Sequence, residues 1–138
     1  MKPLLVTAAI IEKNDQILIT QRKESSRFST GKWEFPGGKV EFLESPEKSI
    51  VREIKEELGI AIEPLELFHC NSHIYEDEDG KLHVILLTFL CKFTLGNPVA
   101  NEGQNFKWIN KNKSDIESVD WCEADIEIAE KFAASLNT

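Results

Sequence analysis

At 138 residues the chain is read as one domain, large enough for a proper core. It is 41% hydrophobic and 29% charged, ordinary values for a folded domain. A net charge of −8 excludes a general binder of polymeric nucleic acid, which needs a basic surface, but not a small phosphorylated substrate, because bound metal ions can reverse the local field. Cys70, Cys91 and Cys122 are too few and too scattered for a disulfide framework or a zinc site, so they are expected to be reduced and mostly packed, as in a cytoplasmic protein. The opening MKPLLVTAAII reads as a strand and not as a signal peptide. No stretch approaches the roughly 20 apolar residues of a membrane span, so no membrane association is expected.

Leu4 to Glu12 is apolar and rich in β-branched residues, and Asn14-Asp15 punctuates it as a turn. Gln16 to Arg22 reads as the second arm of a hairpin. Residues 23 to 32 form a polar loop, and a short strand at Trp33-Glu34-Phe35 leads into Pro36-Gly37-Gly38, where the backbone can approach a ligand closely. Ser45 is a good helix N-cap, Pro46 suits the first helical position, and Gly59 suits the left-handed residue just past the end. At about 100° per residue, Ile50, Val51, Ile54 and Leu58 fall within one arc of that helix. Glu53, Glu56 and Glu57 fall in another, which should aim three carboxylates at one point. Leu65 to Tyr75 and Leu82 to Phe93 are strands joined by an acidic turn at 76–80, where Asp79-Gly80 is the hairpin signal. Val84 to Leu87, apolar throughout, should lie near the sheet centre. A short strand follows at Phe106 to Ile109. Glu123 to Leu136 closes the chain as an amphipathic helix with Ile126, Ala129, Phe132 and Ala133 inward. Strands with helices on both sides indicate an α/β/α sandwich.

The acidic face needs a reason. Like charges three and four residues apart destabilise a helix by a few tenths of a kcal/mol per pair, about 0.2–0.5, and the C-terminal half of the macrodipole disfavours anions. A solvated face is one explanation. A site for a hard divalent cation such as Mg²⁺, which takes oxygen ligands, is the other.

Gly38, Glu44, Arg52, Glu53, Ile54, Glu56, Glu57, Gly59 and Ile60 stand in the spacing Gly-x5-Glu-x7-Arg-Glu-aliphatic-x-Glu-Glu-x-Gly-aliphatic, without a gap. The stretch resembles the Nudix box at every fixed position. Segments VTAAIIEKNDQILITQR, GKWEFPGGKVE, NEGQNFKWI and EADIEIAEKF look like parts of the MutT-like branch, and together they cover most of the chain. The resemblance implies a Nudix-type α/β/α sandwich with a mixed central sheet. It also implies a Mg²⁺-dependent pyrophosphohydrolase, with Mn²⁺ as a substitute, that cuts a nucleoside triphosphate to nucleoside monophosphate and pyrophosphate.

Carried over residue by residue, the resemblance makes Glu53, Glu56 and Glu57 metal ligands, joined by the Gly37 carbonyl and by Glu102. Glu44 and Arg52 support them, Arg52 holding the carboxylates with its planar donor fork. Either Glu53 or Glu102 takes the proton of the attacking water. Arg22 and Lys39 are candidates for the phosphates, since a net-acidic protein must supply positive charge locally. Asp125 falls where the MutT-like branch has an asparagine that contacts guanine. An ionised Asp only accepts hydrogen bonds, which favours an exocyclic amine and so a cytosine nucleotide; CTP pyrophosphohydrolase-like members show a similar Ala-Asp-Ile stretch. Phe35, with Phe28 and Trp33, is a candidate either to pack beside the base or to fill the core. The alternatives are an 8-oxo-dGTP-sanitising enzyme, a hydrolase of ADP-ribose or a dinucleoside polyphosphate, and a non-catalytic nucleotide-sensing module. A monomer or weak homodimer is expected.

Overall fold

The first strand, β1 (Leu4–Lys13), is apolar on both faces, and that decides the layering. Ala8 and Ile10 face one side, Ala9 and Ile11 the other, and all four are buried. The second strand, β2 (Gln16–Gln21), repeats this with Ile17 and Ile19 opposed to Leu18. Each side therefore needs its own cover. In the computed structural model, which describes residues 2–136, the remaining elements are β3 (Trp33–Glu34), β4 (Gly37–Lys39), α1 (Pro46–Leu58), β5 (Ala61–Asp77), β6 (Gly80–Leu95), β7 (Asn105–Asn110), α2 (Lys113–Glu117) and α3 (Glu123–Ala134). Ile50, Ile54 and Leu58 of α1 pack on Ala9, Ile11 and Leu18. Ile116 of α2 and Ile128, Ala129 and Phe132 of α3 pack on Ala8, Ile10, Ile17 and Ile19. The result is an α/β/α sandwich.

The sheet runs β3-β2-β1-β6-β5, with β4 added to β1 and β7 to β2. The β1–β6 pair is parallel and the others are antiparallel, so the sheet is mixed. Val84 to Leu87 lies on β6 between β1 and β5, at the expected central position. Asn14 and Asp15 both take positive φ, 51° and 61°, as the two-residue turn of a right-twisted hairpin requires. Beyond that turn β1 and β2 share only the pairs Glu12↔Ile17 and Lys13↔Gln16. They then diverge, β1 pairing with β4 at Val6 to Ala8 and β2 pairing with β7 along its length. A cleft opens where they part.

Helix α1 begins and ends where its residues dictate. The Ser45 hydroxyl accepts from the Lys48 N–H at 3.3 Å, Pro46 opens the first turn, and Gly59 stops the helix at φ 69° with its N–H on the Lys55 carbonyl. Burying Ile50, Ile54 and Leu58 contributes about 1.5–3 kcal/mol each, more than the acidic face costs. Ser49, small and buried, brings the helix close to Thr7 of β1, with the two hydroxyls 3.5 Å apart.

Several expectations need correction. The β5–β6 hairpin is longer than expected: its turn is Glu78-Asp79, with Asp77 paired to Gly80. Arg27 holds Asp77 through two bonds of 2.8 Å and keeps the last rung in place. Pro64 is absorbed at an irregular register on the edge strand, where a missing N–H costs little. The short helix α2 was not expected, although Asn112 caps it by accepting from Asp115 N. On α3 Ile126 is not inward. The buried stripe runs through Ala124, Asp125, Ile128, Ala129, Phe132 and Ala133, and Ile126 lies beside it, partly exposed. Cys91 and Cys122 are buried as expected, whereas Cys70 is exposed.

Candidate active site

The cleft between the diverging strands has a volume of about 250 Å³. Its walls come from distant parts of the chain: Arg22 and Lys23 after β2, Glu34 of β3, Gly37 and Gly38 of β4, Glu57 of α1, Glu102 and Gln104 before β7, and Asp125 of α3. Glycine is required at two of these positions. A Cβ on Gly37 would stand 1.9 Å from the Thr7 carbonyl oxygen, and one on Gly38 only 2.3 Å from the carboxyl carbon of Glu53. The turn thus lets the Glu53 carboxylate press against the backbone of β4.

Arg52 organises those carboxylates. It grips Glu44 through Nε (2.6 Å) and Nη2 (2.8 Å), reaches Glu53 (3.0 Å) and Glu56 (3.1 Å) with Nη1, and donates to the Lys39 carbonyl at 3.1 Å. The hydrogen-bonded Arg52 fork, aided by the Glu41 N–H, lowers the Glu44 carboxyl to about 2. Glu57 behaves oppositely. Burial, then the charge of Glu34, raises it to about 8, while Gln104, donating at 2.9 Å, pulls the other way. Burial also raises Glu53.

The three glutamates do not meet at one point as expected. Among the described residues no group of three or more His, Cys, Asp or Glu is gathered tightly enough to hold a metal ion. Arg52 Nη1 engages Glu53 and Glu56, while Gln104 Nε2 engages Glu57.

The candidate phosphate cations divide. Arg22 is in the cleft wall, its Nη1 3.3 Å from Glu34 and its Nε donating to the Phe28 carbonyl. The Lys39 side chain is exposed and outside that wall. Lys23, unremarked in the sequence, stands there instead, its Nζ donating to the Glu102 carbonyl at 2.8 Å. Only a tertiary contact, 79 residues apart in sequence, identifies it.

A second cavity of about 200 Å³ shares Val6, Arg22, Glu34, Leu86 and Asp125 with the first. Its other walls are mostly apolar, including Leu4, Leu82 and Val84, with Phe28 stacked on Tyr75 at 5.1 Å. Phe35 is 3% exposed and its ring stacks on Trp121 at 4.6 Å, so it packs with the core while lining the cleft. Its backbone N–H donates to Asp125 Oδ2 at 2.9 Å. Trp33 lies in a separate groove under Lys107. Asp125 is buried at the junction of the two cavities. Burial, then the neighbouring Glu34, pushes its carboxyl well above the usual range.

One end of this double cavity is lined with carboxylates and cations, and the other is apolar with a polar group at its neck. Comparison with known proteins gives the same direction. The NUDIX domain model matches residues 1–134. The chain belongs to the Nudix hydrolase family. It is similar to the 8-oxo-dGTP diphosphatase of Escherichia coli K12, 36% identical over 111 residues that cover 80% of this chain and 82% of that one. It is also similar to the CTP pyrophosphohydrolase of the same organism, 53% identical over 60 residues, 44% of each chain. Among solved structures, the MutT NUDIX hydrolase from Burkholderia pseudomallei superposes with a TM-score of 0.78 at 28% identity, covering 95% of this chain and 98% of that one. The protein is thus a nucleotide pyrophosphohydrolase of the MutT-like branch.

Nudix hydrolases generally use divalent metal ions such as Mg²⁺, and the donor types here suit one once the spread carboxylates are drawn together. The donors on offer are carboxylate and carbonyl oxygens, the set a hard cation takes. Glu57 is half-buried, and besides desolvation the charges of Glu34, Glu102 and Glu53 raise its pKa, a local excess of negative charge that a cation would neutralise.

Proposed function

We propose that this Nudix hydrolase is a Mg²⁺-dependent nucleoside triphosphate pyrophosphohydrolase that prefers a cytosine nucleotide. The observation that carries the base reading is Asp125, buried at the neck between the carboxylate-lined cleft and the apolar cavity. In this reading Glu53, Glu56, Glu57, Glu102 and the Gly37 carbonyl hold the cation. When bound, that cation supplies charge neutralisation of the phosphates and a more acidic water.

The protein's own residues do the rest. Arg52 and Glu44 fix the carboxylates. Glu53 or Glu102 orients the water and accepts its proton. Arg22 and Lys23 face the phosphates, with Lys39 as an outer contact. The base enters the apolar cavity beside Phe28 and meets Asp125, whose carboxyl oxygens accept from an exocyclic amine such as cytosine N4.

Asp125 also supports a second reading. Burial disfavours the charged form of Asp125, and a neutral carboxyl would offer one donor and one acceptor, as an asparagine does, and so pair with an oxidised guanine edge as well. The similarity to an 8-oxo-dGTP diphosphatase over four-fifths of the chain favours the same substrate.

Turnover of CTP, dCTP, 8-oxo-dGTP, ADP-ribose and diadenosine tetraphosphate, with product identification, tests both. The cytosine reading expects the highest kcat/KM on CTP or dCTP, releasing pyrophosphate. A preference for 8-oxo-dGTP would replace it with the second reading, and no pyrophosphate from any triphosphate would end both. Asp125→Asn should lower discrimination between the cytosine and guanine substrates by about tenfold or more, the cost of one or two mispaired buried groups.

A further inference from the structure

Gln104 is only 7% exposed although it is polar and lines the cleft. Its two amide atoms are treated differently. Nε2 donates to Glu57 Oε1 at 2.9 Å, whereas its own Oε1 is buried without a hydrogen-bond partner among the described residues. Buried acceptors are almost always satisfied, and leaving one bare is costly. A side chain needed only to fill this volume would be Leu or Met, which carry no such cost.

Its placement is rigid. Val99 N donates to the Leu58 carbonyl at 2.9 Å, Asn101 N to the Glu57 carbonyl at 3.1 Å, and Asn101 Nδ2 to the Glu56 carbonyl at 3.0 Å. These three bonds strap the loop before β7 to the last turns of α1. They set the Gln104 amide against the half-buried Glu57 carboxylate of α1. With one oxygen of Glu57 engaged, the other has no hydrogen bond among the described residues.

We propose that Gln104 is a positioning residue of the cation site: its amide N–H₂ group fixes one oxygen of Glu57 and leaves the other to ligate, while its carbonyl oxygen holds an ordered water at the cleft floor. This rests on the reading of Glu57 as a metal ligand. The polar partners of ligating side chains matter to metal affinity because an unfixed carboxylate must be ordered again on binding.

The test uses the whole chain without nucleotide. Mn²⁺ titration of Gln104→Met should show affinity weakened by about 10- to 100-fold, with Tm in EDTA no lower than that of the native protein, because methionine fills a similar volume with no polar group to satisfy. The smaller Gln104→Asn, which withdraws both amide atoms by one methylene, should weaken Mn²⁺ binding as well and serves if the methionine does not fold. At saturating metal, KM for the nucleotide should not move. A metal-free crystal structure at high resolution should show a water within hydrogen-bond distance of Gln104 Oε1. Native-like Mn²⁺ affinity in the variants, a fall in KM-level binding alone, or a Tm in EDTA that drops in step with affinity would each overturn the positioning role. No water at Oε1 would overturn the second half. Glu57→Gln is the control: if it binds Mn²⁺ as the native protein does, the ligand assignment itself fails, and the role of Gln104 with it.

Discussion

Glu53 and Glu57 are four residues apart on one helix, yet their surroundings give them different work. Glu53 lies against Gly38 and shares Arg52 with two other carboxylates, so it stays coupled to a cation donor while facing the glycine turn. Glu53→Gln replaces one of the two candidate proton acceptors without changing shape, and should lower kcat by about 10²-fold or more with unaltered circular dichroism; near-native turnover would remove Glu53 from the chemistry. Glu57 is sensitive to pH near neutrality. Its carboxyl is easier to protonate in the folded chain, at about 8, than in the unfolded chain, at 4.5. The folded state therefore binds more protons across that interval, and its stability declines as pH rises from about 4.5 to about 8. Tm measured in EDTA should fall across this range, and Glu57→Gln should flatten the fall.

At the scale of elements, α1 combines a well-anchored core face with an awkward entry. Ile54→Ala should cost about 2–5 kcal/mol in a urea titration, because the fully buried site against the sheet leaves a cavity. The turn that feeds the helix is different. Glu44 N donates to the Glu41 carbonyl, Glu41 N donates to Glu44 Oε1, and Arg52 clamps Glu44, so the tip is held firmly. Leu43 sits on that tip at φ 69° and is 91% exposed, so it has left-handed strain and no burial to offset it. Leu43→Asn, which tolerates this conformation, should raise stability by up to about 1 kcal/mol; a lower urea midpoint would show that Leu43 makes a contact worth more than its strain.

At the scale of the molecule, the cleft exists because β1 and β2 separate after their hairpin and because residues far apart in sequence close its sides. Lys23 ties the end of β2 to the Glu102 loop across the opening. Lys23→Met should raise KM for a nucleoside triphosphate by about tenfold, the loss of one charged phosphate contact, and should speed amide exchange in residues 101–104. Lys23→Arg should restore most of both. Cation binding should also register globally: at a concentration 100 times its Kd, Mg²⁺ should stabilise the fold by about 2.7 kcal/mol. Much less stabilisation in Glu57→Gln would locate the effect in the cleft.

Residues 37 to 60 were legible because everything that shapes α1 is local: its cap, its stop signal and the 3.6-residue spacing of its apolar side all lie within two dozen positions. The two-sided apolar runs of β1 and β6 likewise dictated a sheet covered on both faces. Burial of a particular side chain, and its distance from a charge, depended on parts of the chain far away. Trp121 took the Phe35 ring into the core, the packing of α3 turned Ile128 inward and left Ile126 beside the stripe, and the neck between two cavities enclosed Asp125. Lys23, and not the Lys39 side chain, reached the cleft because β2 and the loop before β7 meet there. Periodicity is a property of neighbours along the chain, so the sequence alone carried the helix and the layering. Desolvation and convergence depend on neighbours in space, so only the folded structure decided which of these groups share a site.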